Sequence, residues 1–115
     1  YSLTEGEKLN TIATADIFAC TSIRDIHPIV ILEAMALGTL VITTDVGALS
    51  EYLRNGVDGF IVHRCEKCLA NILRIALNTN INSGVIIDNA RKHARAHTCS
   101  VLSSELIEVY RKMYY

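Results

Sequence analysis

Residues 28–44, PIVILEAMALGTLVITT, decide the fold class of this chain. The first part is apolar on every side of a helix except at Glu33, and a helix that is apolar all round is buried. Pro28 suits the first turn of that helix, and Gly38 suits the position just after its last turn. The β-branched residues that follow predict a strand at 40–44. The run therefore predicts a buried helix at about 28–37 and a buried strand, rather than a membrane span.

The flanking segments alternate between helical and extended patterns. Thr4 and Glu7 have the spacing of a capping box, which predicts a first helix that ends near Thr14. A short apolar run predicts a strand at 17–20 that leads into a polar loop. Beyond residue 44 we expect a helix at about 48–54, a turn at Asp58 and Gly59, and a strand at 60–62, followed only by helices.

This alternation predicts an α/β fold, with a Rossmann-like parallel sheet and helices on both faces. Three strands are about half the usual number for such a sheet, so we expect the remaining strands to precede Tyr1. The sequence starts without Met or a leader peptide, as expected for a piece of a longer protein. Residues 1–115 are therefore predicted to form a single but incomplete domain.

Composition narrows the class of partner and the compartment. The chain has 115 residues, of which 50% are hydrophobic and 20% are charged, as in an ordinary globular domain. Its formal charge of −1 gives no general attraction for nucleic acid, so no nucleic-acid partner is expected. Four cysteines without a secretory leader predict reduced thiols and a cytoplasmic location.

Glu33 needs hydrogen-bond partners, because an unpaired carboxylate buried in an apolar helix is costly in free energy. Open parallel sheets bind ligands outside the carboxyl ends of their strands, and the helix that carries Glu33 begins there. Backbone N–H groups of Ile29 and Val30 suit an anion, whereas Pro28 has no N–H to donate. Glu33 suits a vicinal diol, and Asp25 lies ahead of the helix. This order fits a nucleoside diphosphate sugar.

Residues 15–47, ADIFACTSIRDIHPIVILEAMALGTLVITTDVG, resemble the donor-binding half of GT-B glycosyltransferases of family GT4. The usual family pattern is ADVxVxPSxxEGFGxxxLEAMAxGxPVVAxxxGG, and the similarity continues through the third strand and the tail helices. The resemblance implies that Glu33 holds the ribose hydroxyls and that Asp25 is the catalytic acid near the transferred sugar. The segment implied to approach the sugar and the diphosphate consists of Ile26, His27, Pro28, Ile29 and Val30.

The resemblance also implies a function for the longer protein. A retaining hexosyltransferase would move a sugar from a nucleotide-diphosphate sugar to a glycan, a lipid-linked acceptor or a small acceptor. It would need no metal and no cofactor beyond that co-substrate, because the helix dipole and basic side chains stabilise the leaving diphosphate. A missing N-terminal domain would bind the acceptor, so this piece alone is expected to be inactive. Peripheral contact with a membrane is a further expectation for some acceptors.

Two alternatives remain open from the sequence. In the first alternative, an internal partner such as Arg24 neutralises Glu33, and the ion pair has a structural role. The second concerns Ile26, His27 and Pro28, which stand where the family has Gly-Phe-Gly. A β-branched Ile in place of Gly crowds the sugar. The chain would then be a degenerate, non-catalytic GT-B domain that acts as a nucleotide-sugar-binding or assembly module.

Three other motifs contain residue types that occur in functional sites. Cys65 and Cys68, with His93 and His97, have the residue types of a zinc site, but the gap between the pairs is about twice that of a zinc finger. No metal site is expected. A redox role is not expected either, because the cysteines do not open the helix after the first strand of a thioredoxin-like pattern. A basic patch on one helix, interpreted as a solvent-facing surface, consists of Arg91, Lys92 and Arg95.

Overall fold

A computed structural model describes residues 3–21, 29–45, 53–78, 82–96, 107 and 111–112. Its elements alternate along the chain in the predicted way. In order they are α1 (Glu5–Thr14), β1 (Ile17–Cys20), α2 (Ile29–Leu37), β2 (Leu40–Thr44), β3 (Phe60–Val62), α3 (Glu66–Leu77) and α4 (Ser83–Ala96).

The three strands form one parallel sheet in the order β1-β2-β3. Ile17 lies opposite Leu40, and Ile42 lies opposite Phe60. Every residue of the central strand β2 is buried, as expected for an apolar strand covered by helices. The helices α2 and α4 pack against β2, and α3 packs against β3. The predicted α/β fold with a Rossmann-like parallel sheet is confirmed.

The first helix starts at the predicted capping box. The Thr4 hydroxyl accepts a hydrogen bond from the Glu7 backbone N–H at 3.2 Å, and the Glu7 carboxylate accepts one from the Thr4 backbone N–H at 2.8 Å. Both bonds satisfy N–H groups that have no partner within the helix. At the other end, the Thr39 hydroxyl donates to the Ile12 carbonyl oxygen at 2.7 Å in a buried position, which ties α1 to the start of β2.

Helix α2 is the centre of the core, and its bounds agree with the prediction. Ile31, Ala34 and Met35 are fully buried and pack in one cluster with residues of α1, β2 and α4. The helix ends before Gly38, whose φ of 81° is a conformation that favours glycine. The Arg91 guanidinium of α4 covers Gly38, so a positive charge lies at the negative end of the α2 dipole.

Two further predictions need qualification. The helix expected at 48–54 lies mostly outside the described residues, but Leu53 and Arg54 are not helical. That prediction was therefore too long at its end, because the Arg54 backbone N–H bonds to the Asp58 carboxylate instead of a helical carbonyl. No helix in the described part of the chain is long and apolar enough to cross a membrane.

Candidate functional site

A cavity of about 790 Å³ opens at the carboxyl edge of the sheet. All three strands reach it, because its wall is built from residues at or just beyond their ends and from the first turns of α3. The lining residues are Thr21, Thr44, His63, Arg64, Cys65, Glu66 and Leu69. Parallel α/β sheets bind their ligands at this edge, where the strand ends and helix starts leave room for a guest.

Helix α2 starts at the same edge, and the predicted anion donors lie in its first turn. Ile29 and Val30 are the first two residues of α2, where backbone N–H groups have no partner within the helix. Ile29 is 64% exposed, which is high for an isoleucine. Glu33 follows Ile29 by four residues, so the two side chains lie on one face of α2.

This face corrects the prediction that α2 is buried all round. Ile29 and Ala36 are exposed and Glu33 is partly exposed, at positions separated by four and three residues. Together they form a stripe along α2, which we call the open stripe. The opposite face, with Ile31 and Met35, is completely buried. Apolar composition alone did not distinguish the two faces, because the residues of the open stripe are mostly as apolar as those of the core.

Among the residues that the structure describes, Lys8 of α1 forms the ion pair with Glu33. Its Nζ lies 3.2 Å from Glu33 Oε2 and donates a hydrogen bond to Oε1 at 3.4 Å. The contact to Oε2 is shorter, but only the contact to Oε1 has hydrogen-bond geometry. Lys8 also donates to Glu5 at 2.7 Å, and hydrogen bonds to Glu5 and then Glu33 raise the pKa of Lys8 above its usual value. The ammonium therefore remains charged beside both carboxylates.

Glu33 keeps unused acceptor capacity after this contact. Its side chain is 22% exposed, and its Oε2 is buried and accepts no hydrogen bond from any described residue. A carboxylate has about four acceptor positions, so one lysine leaves most of them available. The internal partner proposed from sequence, Arg24, lies outside the described residues.

The remaining predicted site residues also lie outside the described residues. They are Asp25, Ile26, His27 and Pro28, which precede the first described residue of α2. The structure therefore places Glu33, Ile29 and Val30 on one helix, whose first turn lies at the carboxyl edge of the sheet. The residues that line the cavity include none of these three. The roles of all seven residues stay predictions.

A second ionic cluster, which the sequence did not reveal, braces the turn before β3. Asp58 is fully buried and accepts hydrogen bonds from the Arg54 backbone N–H at 3.1 Å, Nε at 2.9 Å and Nη2 at 3.0 Å. His93 Nδ1 of α4 lies 3.9 Å from the same carboxylate. Burial raises the pKa of Asp58, but the hydrogen bonds and charge of Arg54 outweigh it and hold the pKa below its usual value.

The same turn approaches β2 closely. A Cβ on Gly59 would lie 2.8 Å from the Val41 carbonyl oxygen and 2.9 Å from Leu53 Cδ1. The Asn89 side chain of α4 donates to the Val57 carbonyl oxygen at 3.0 Å. The cluster of Arg54 and Asp58 is therefore a structural brace. The only signal for it in the sequence was an Arg and an Asp four residues apart before a glycine.

Cys65 and Cys68 form a disulfide at the start of α3, which differs from the predicted reduced thiols. Composition and compartment carried that prediction, whereas the turn of helix brings the two side chains together. The zinc interpretation gains no support, because disulfide sulfurs are not metal ligands as thiolates are. His97 lies outside the described residues, and residues that the structure describes contain no group of three metal-binding side chains.

An open parallel α/β sheet, with a cavity and a helix start at its carboxyl edge, is the arrangement in which doubly wound α/β domains bind their ligands. Comparison with known families is more specific. Residues 2–93 match the family model described as glycosyl transferases group 1, and the chain belongs to that family.

Curated relatives in two groups are similar to the chain. Alpha-maltose-1-phosphate synthase of Mycobacterium tuberculosis is 29% identical over 122 aligned positions, which cover 96% of this chain and 31% of the relative. The enzyme of the same name from Mycolicibacterium smegmatis is 40% identical, and the match covers 89% of this chain and 28% of that enzyme. D-inositol 3-phosphate glycosyltransferase of Rhodococcus erythropolis is 33% identical, and the match covers 85% of this chain and 22% of that enzyme. The chain spans less than a third of the length of these relatives.

Solved structures share the fold. The Anabaena protein Alr3699/HepE, solved in complex with UDP, is 27% identical with a TM-score of 0.77, and the match covers 89% of this chain and 29% of that one. Sucrose-phosphate synthase from Thermosynechococcus elongatus has a TM-score of 0.82 at 24% identity, with 99% and 29% covered. The architecture is that of the C-terminal, Rossmann-like half of the GT-B fold.

Proposed function

We propose that this chain is the donor-binding part of a retaining glycosyltransferase that transfers a hexosyl group from a nucleotide-diphosphate sugar. One observation carries the proposal. Glu33 lies on the open stripe of a helix that starts at the carboxyl edge of the sheet, with a buried oxygen that no described residue hydrogen-bonds. The described residues give this oxygen an ion pair with Lys8 at 3.2 Å but no hydrogen bond, so it keeps acceptor positions for a bound hydroxyl group.

A ribose diol satisfies this acceptor. Vicinal hydroxyls can each donate one hydrogen bond to a carboxylate, and Glu33 Oε2 has the capacity to accept. Lys8 supports this arrangement, because its ammonium lies 3.4 Å from Oε1 and 3.2 Å from Oε2 and orients the carboxylate. A charged acceptor strengthens the hydrogen bonds from the sugar hydroxyls, because charge-assisted bonds are about twice as strong as neutral ones.

The start of α2 suits the diphosphate. Backbone N–H groups of the first turn, at Ile29 and Val30, have no acceptor within the helix and favour an anion, and the positive end of the helix dipole adds to the attraction. Negative charge increases on the diphosphate as the glycosidic bond breaks, so the same groups stabilise the transition state. This chemistry requires no metal ion, and no cofactor other than the nucleotide sugar is proposed.

The segment before α2 supplies the remaining roles in this proposal. Family resemblance assigns Asp25 to the transferred sugar, with Ile26, His27 and Pro28 alongside the sugar and the diphosphate. A carboxylate in this place stabilises positive charge that develops on the sugar ring as the bond to the diphosphate breaks. Retention of configuration at the anomeric carbon is part of the proposal and follows the family resemblance.

A uridine nucleotide is the first donor to test. Alr3699/HepE, at 26% identity and a TM-score of 0.77, was solved in complex with UDP-glucose. The acceptor is a glycan, a lipid-linked molecule or a small molecule, and it would be bound by a further domain. We place the protein in the cytoplasm, with peripheral membrane contact where the acceptor is a lipid, and propose no nucleic-acid partner.

The alternative is a degenerate GT-B domain that binds a nucleotide sugar or assembles with other chains without catalysis. Ile26 favours it, because the β-branched side chain stands where the family has a glycine. Titration of this chain and of the full-length protein with UDP-, GDP- and ADP-sugars separates the two, followed by an assay for release of the nucleoside diphosphate. Binding with turnover by the full-length protein supports the enzyme. Binding without turnover supports the module, and no binding to any donor refutes both nucleotide-sugar functions.

A further inference from the structure

The disulfide between Cys65 and Cys68 occupies a chemically active position. Cys65 is the N-cap of α3, and its Sγ accepts a hydrogen bond from the Cys68 backbone N–H at 3.0 Å. The two Cα atoms are 5.2 Å apart, within the range that a disulfide requires. Because the cysteines are three residues apart on one helical turn, the bond can open without unfolding α3. Cys65 is exposed and Cys68 is half-buried, so reagents in solution reach the pair.

The start of α3 favours the reactive form of cysteine. Thiolate is the nucleophile in thiol–disulfide exchange, and the positive end of a helix dipole stabilises it, as do N–H groups without helical partners. Arg64 and Lys67 add positive charge next to the pair in sequence, and Glu66 adds one negative charge. The net surroundings are electropositive, which is the setting of reactive cysteine pairs at helix starts.

The pair is also part of the candidate site. Cys65 lines the cavity at the carboxyl edge of the sheet, next to His63, Arg64 and Glu66. In its thiolate form, a reduced Cys65 places a negative charge on the cavity wall, whereas the disulfide is neutral. An anionic ligand in the cavity therefore meets a different potential in the two states.

We propose that Cys65 and Cys68 form a reversible dithiol–disulfide site that exchanges with low-molecular-weight thiols such as glutathione, and that its state tunes anion binding in the cavity. In the oxidising direction, the Cys65 thiolate attacks one sulfur of oxidised glutathione and releases one glutathione thiolate. The Cys68 thiolate then attacks Cys65 Sγ of the mixed disulfide and releases the second. The protein loses two electrons and two protons, and one oxidised glutathione becomes two reduced molecules.

To test the exchange, the folded protein is equilibrated in buffers with graded ratios of reduced to oxidised glutathione. Free thiols are then trapped with a maleimide, and mass spectrometry counts the labels on the peptide with residues 65–68. We expect a change from two labels to none over a continuous range of ratios. Cys65→Ser and Cys68→Ser should each lose the transition, whereas Cys99→Ser, which removes a cysteine outside the pair, should keep it. Serine is a favoured N-cap, so Cys65→Ser is expected to leave α3 folded.

Two results would overturn the exchange. One is a pair that stays fully labelled at every ratio. The other is a pair that dithiothreitol reduces only in denaturant, which would make the disulfide structural. If both serine variants of the pair lost their single label at the same ratios as wild type, the remaining cysteine would be forming a mixed disulfide with glutathione by itself, and this result would also overturn the proposal.

The effect on the cavity rests on the proposed function and is measured separately, as the affinity of each redox state for UDP. Removal of one negative charge near a diphosphate should strengthen binding by about threefold to tenfold in the oxidised state at low salt. Equal affinity of the two states would overturn the tuning. Absence of UDP binding in both states would count against the proposed donor function and against the tuning, but the labelling result would still decide the exchange.

Discussion

Asp58 gives the most detailed stability prediction, through the substitution Asp58→Asn. Asparagine keeps the shape of the side chain but removes its charge, and it turns an NH₂ group toward the donors of Arg54. Three hydrogen bonds, from the Arg54 backbone N–H, Nε and Nη2, then lose their charged acceptor. The Asp58 side of these bonds is fully buried, so water cannot replace the lost acceptor there.

The expected loss follows from the number and exposure of these bonds. A hydrogen bond to a charged group contributes about 1.5–3 kcal/mol, but the Arg54 side chain is 61% exposed and water competes for it. The three bonds therefore count for less than their sum. We expect Asp58→Asn to lower the free energy of unfolding by about 2–4 kcal/mol at neutral pH.

Urea unfolding followed by circular dichroism measures this difference. An unchanged slope of the free energy against urea concentration shows that both proteins expose the same surface on unfolding. Asp88→Asn is the matched control, because Asp88 is an exposed acid on α4 and should change the free energy by no more than about 0.5 kcal/mol. A value for Asp58→Asn as small as that of the control would refute the assignment of Asp58 as the brace of this turn.

The pH dependence of the same variant has a definite sign. The pKa of Asp58 is lower in the folded protein than in the unfolded chain, where it is about 4. Its contribution is therefore complete above the unfolded value and is lost as pH falls through the folded value. We expect the difference between wild type and Asp58→Asn to shrink steadily below about pH 4. A difference that stays constant down to pH 2.5 or grows in acid would contradict the lowered pKa.

Further substitutions test the core, the close approach before β3, and the support of Glu33. Met35→Ala should cost about 2–5 kcal/mol in urea unfolding, because Met35 is fully buried in the core cluster, and a loss below 1 kcal/mol would place it elsewhere. Gly59→Ala should cost about 1–3 kcal/mol, because the new Cβ meets the backbone of β2. Gly6→Ala should instead stabilise α1 by about 0.5–1 kcal/mol, because no atom lies within 4 Å of the new Cβ. Equal thermal midpoints for the two variants would contradict the close approach of Gly59 to β2. Lys8→Met should weaken binding of a nucleoside diphosphate about two- to tenfold in calorimetry, with partial recovery in Lys8→Arg, and unchanged affinity would remove Lys8 from the site.

Local signals in the sequence predicted the elements well. The capping box at Thr4 and Glu7, and the glycine after α2, act within one or two helical turns, so their positions are visible without a fold. The parallel sheet followed from the alternation of helical and extended patterns. Apolar composition did not show which side of α2 faces the core, since both sides carry similar side chains.

Long-range pairs were beyond the sequence patterns. Lys8 and Glu33 are 25 residues apart and meet only when α1 packs beside α2, so the sequence offered Arg24, a nearer cation, as the internal partner. The contact of Arg54 with Asp58 was hidden for another reason. The sequence patterns assigned Arg54 to the end of a helix and Asp58 to a turn, so no contact between the two was predicted.

Hydrogen bonding between Glu33 and the ribose diol is the central claim, and a double comparison tests it most directly. Calorimetry would give the affinities of wild type, Glu33→Gln and the Asp88→Asn control for UDP and for 2′-deoxy-UDP. Loss of one hydrogen bond to a charged acceptor corresponds to about tenfold to a hundredfold in affinity. The account predicts this preference for UDP in wild type and in the control, and its near disappearance in Glu33→Gln. The same preference in Glu33→Gln as in wild type would contradict it.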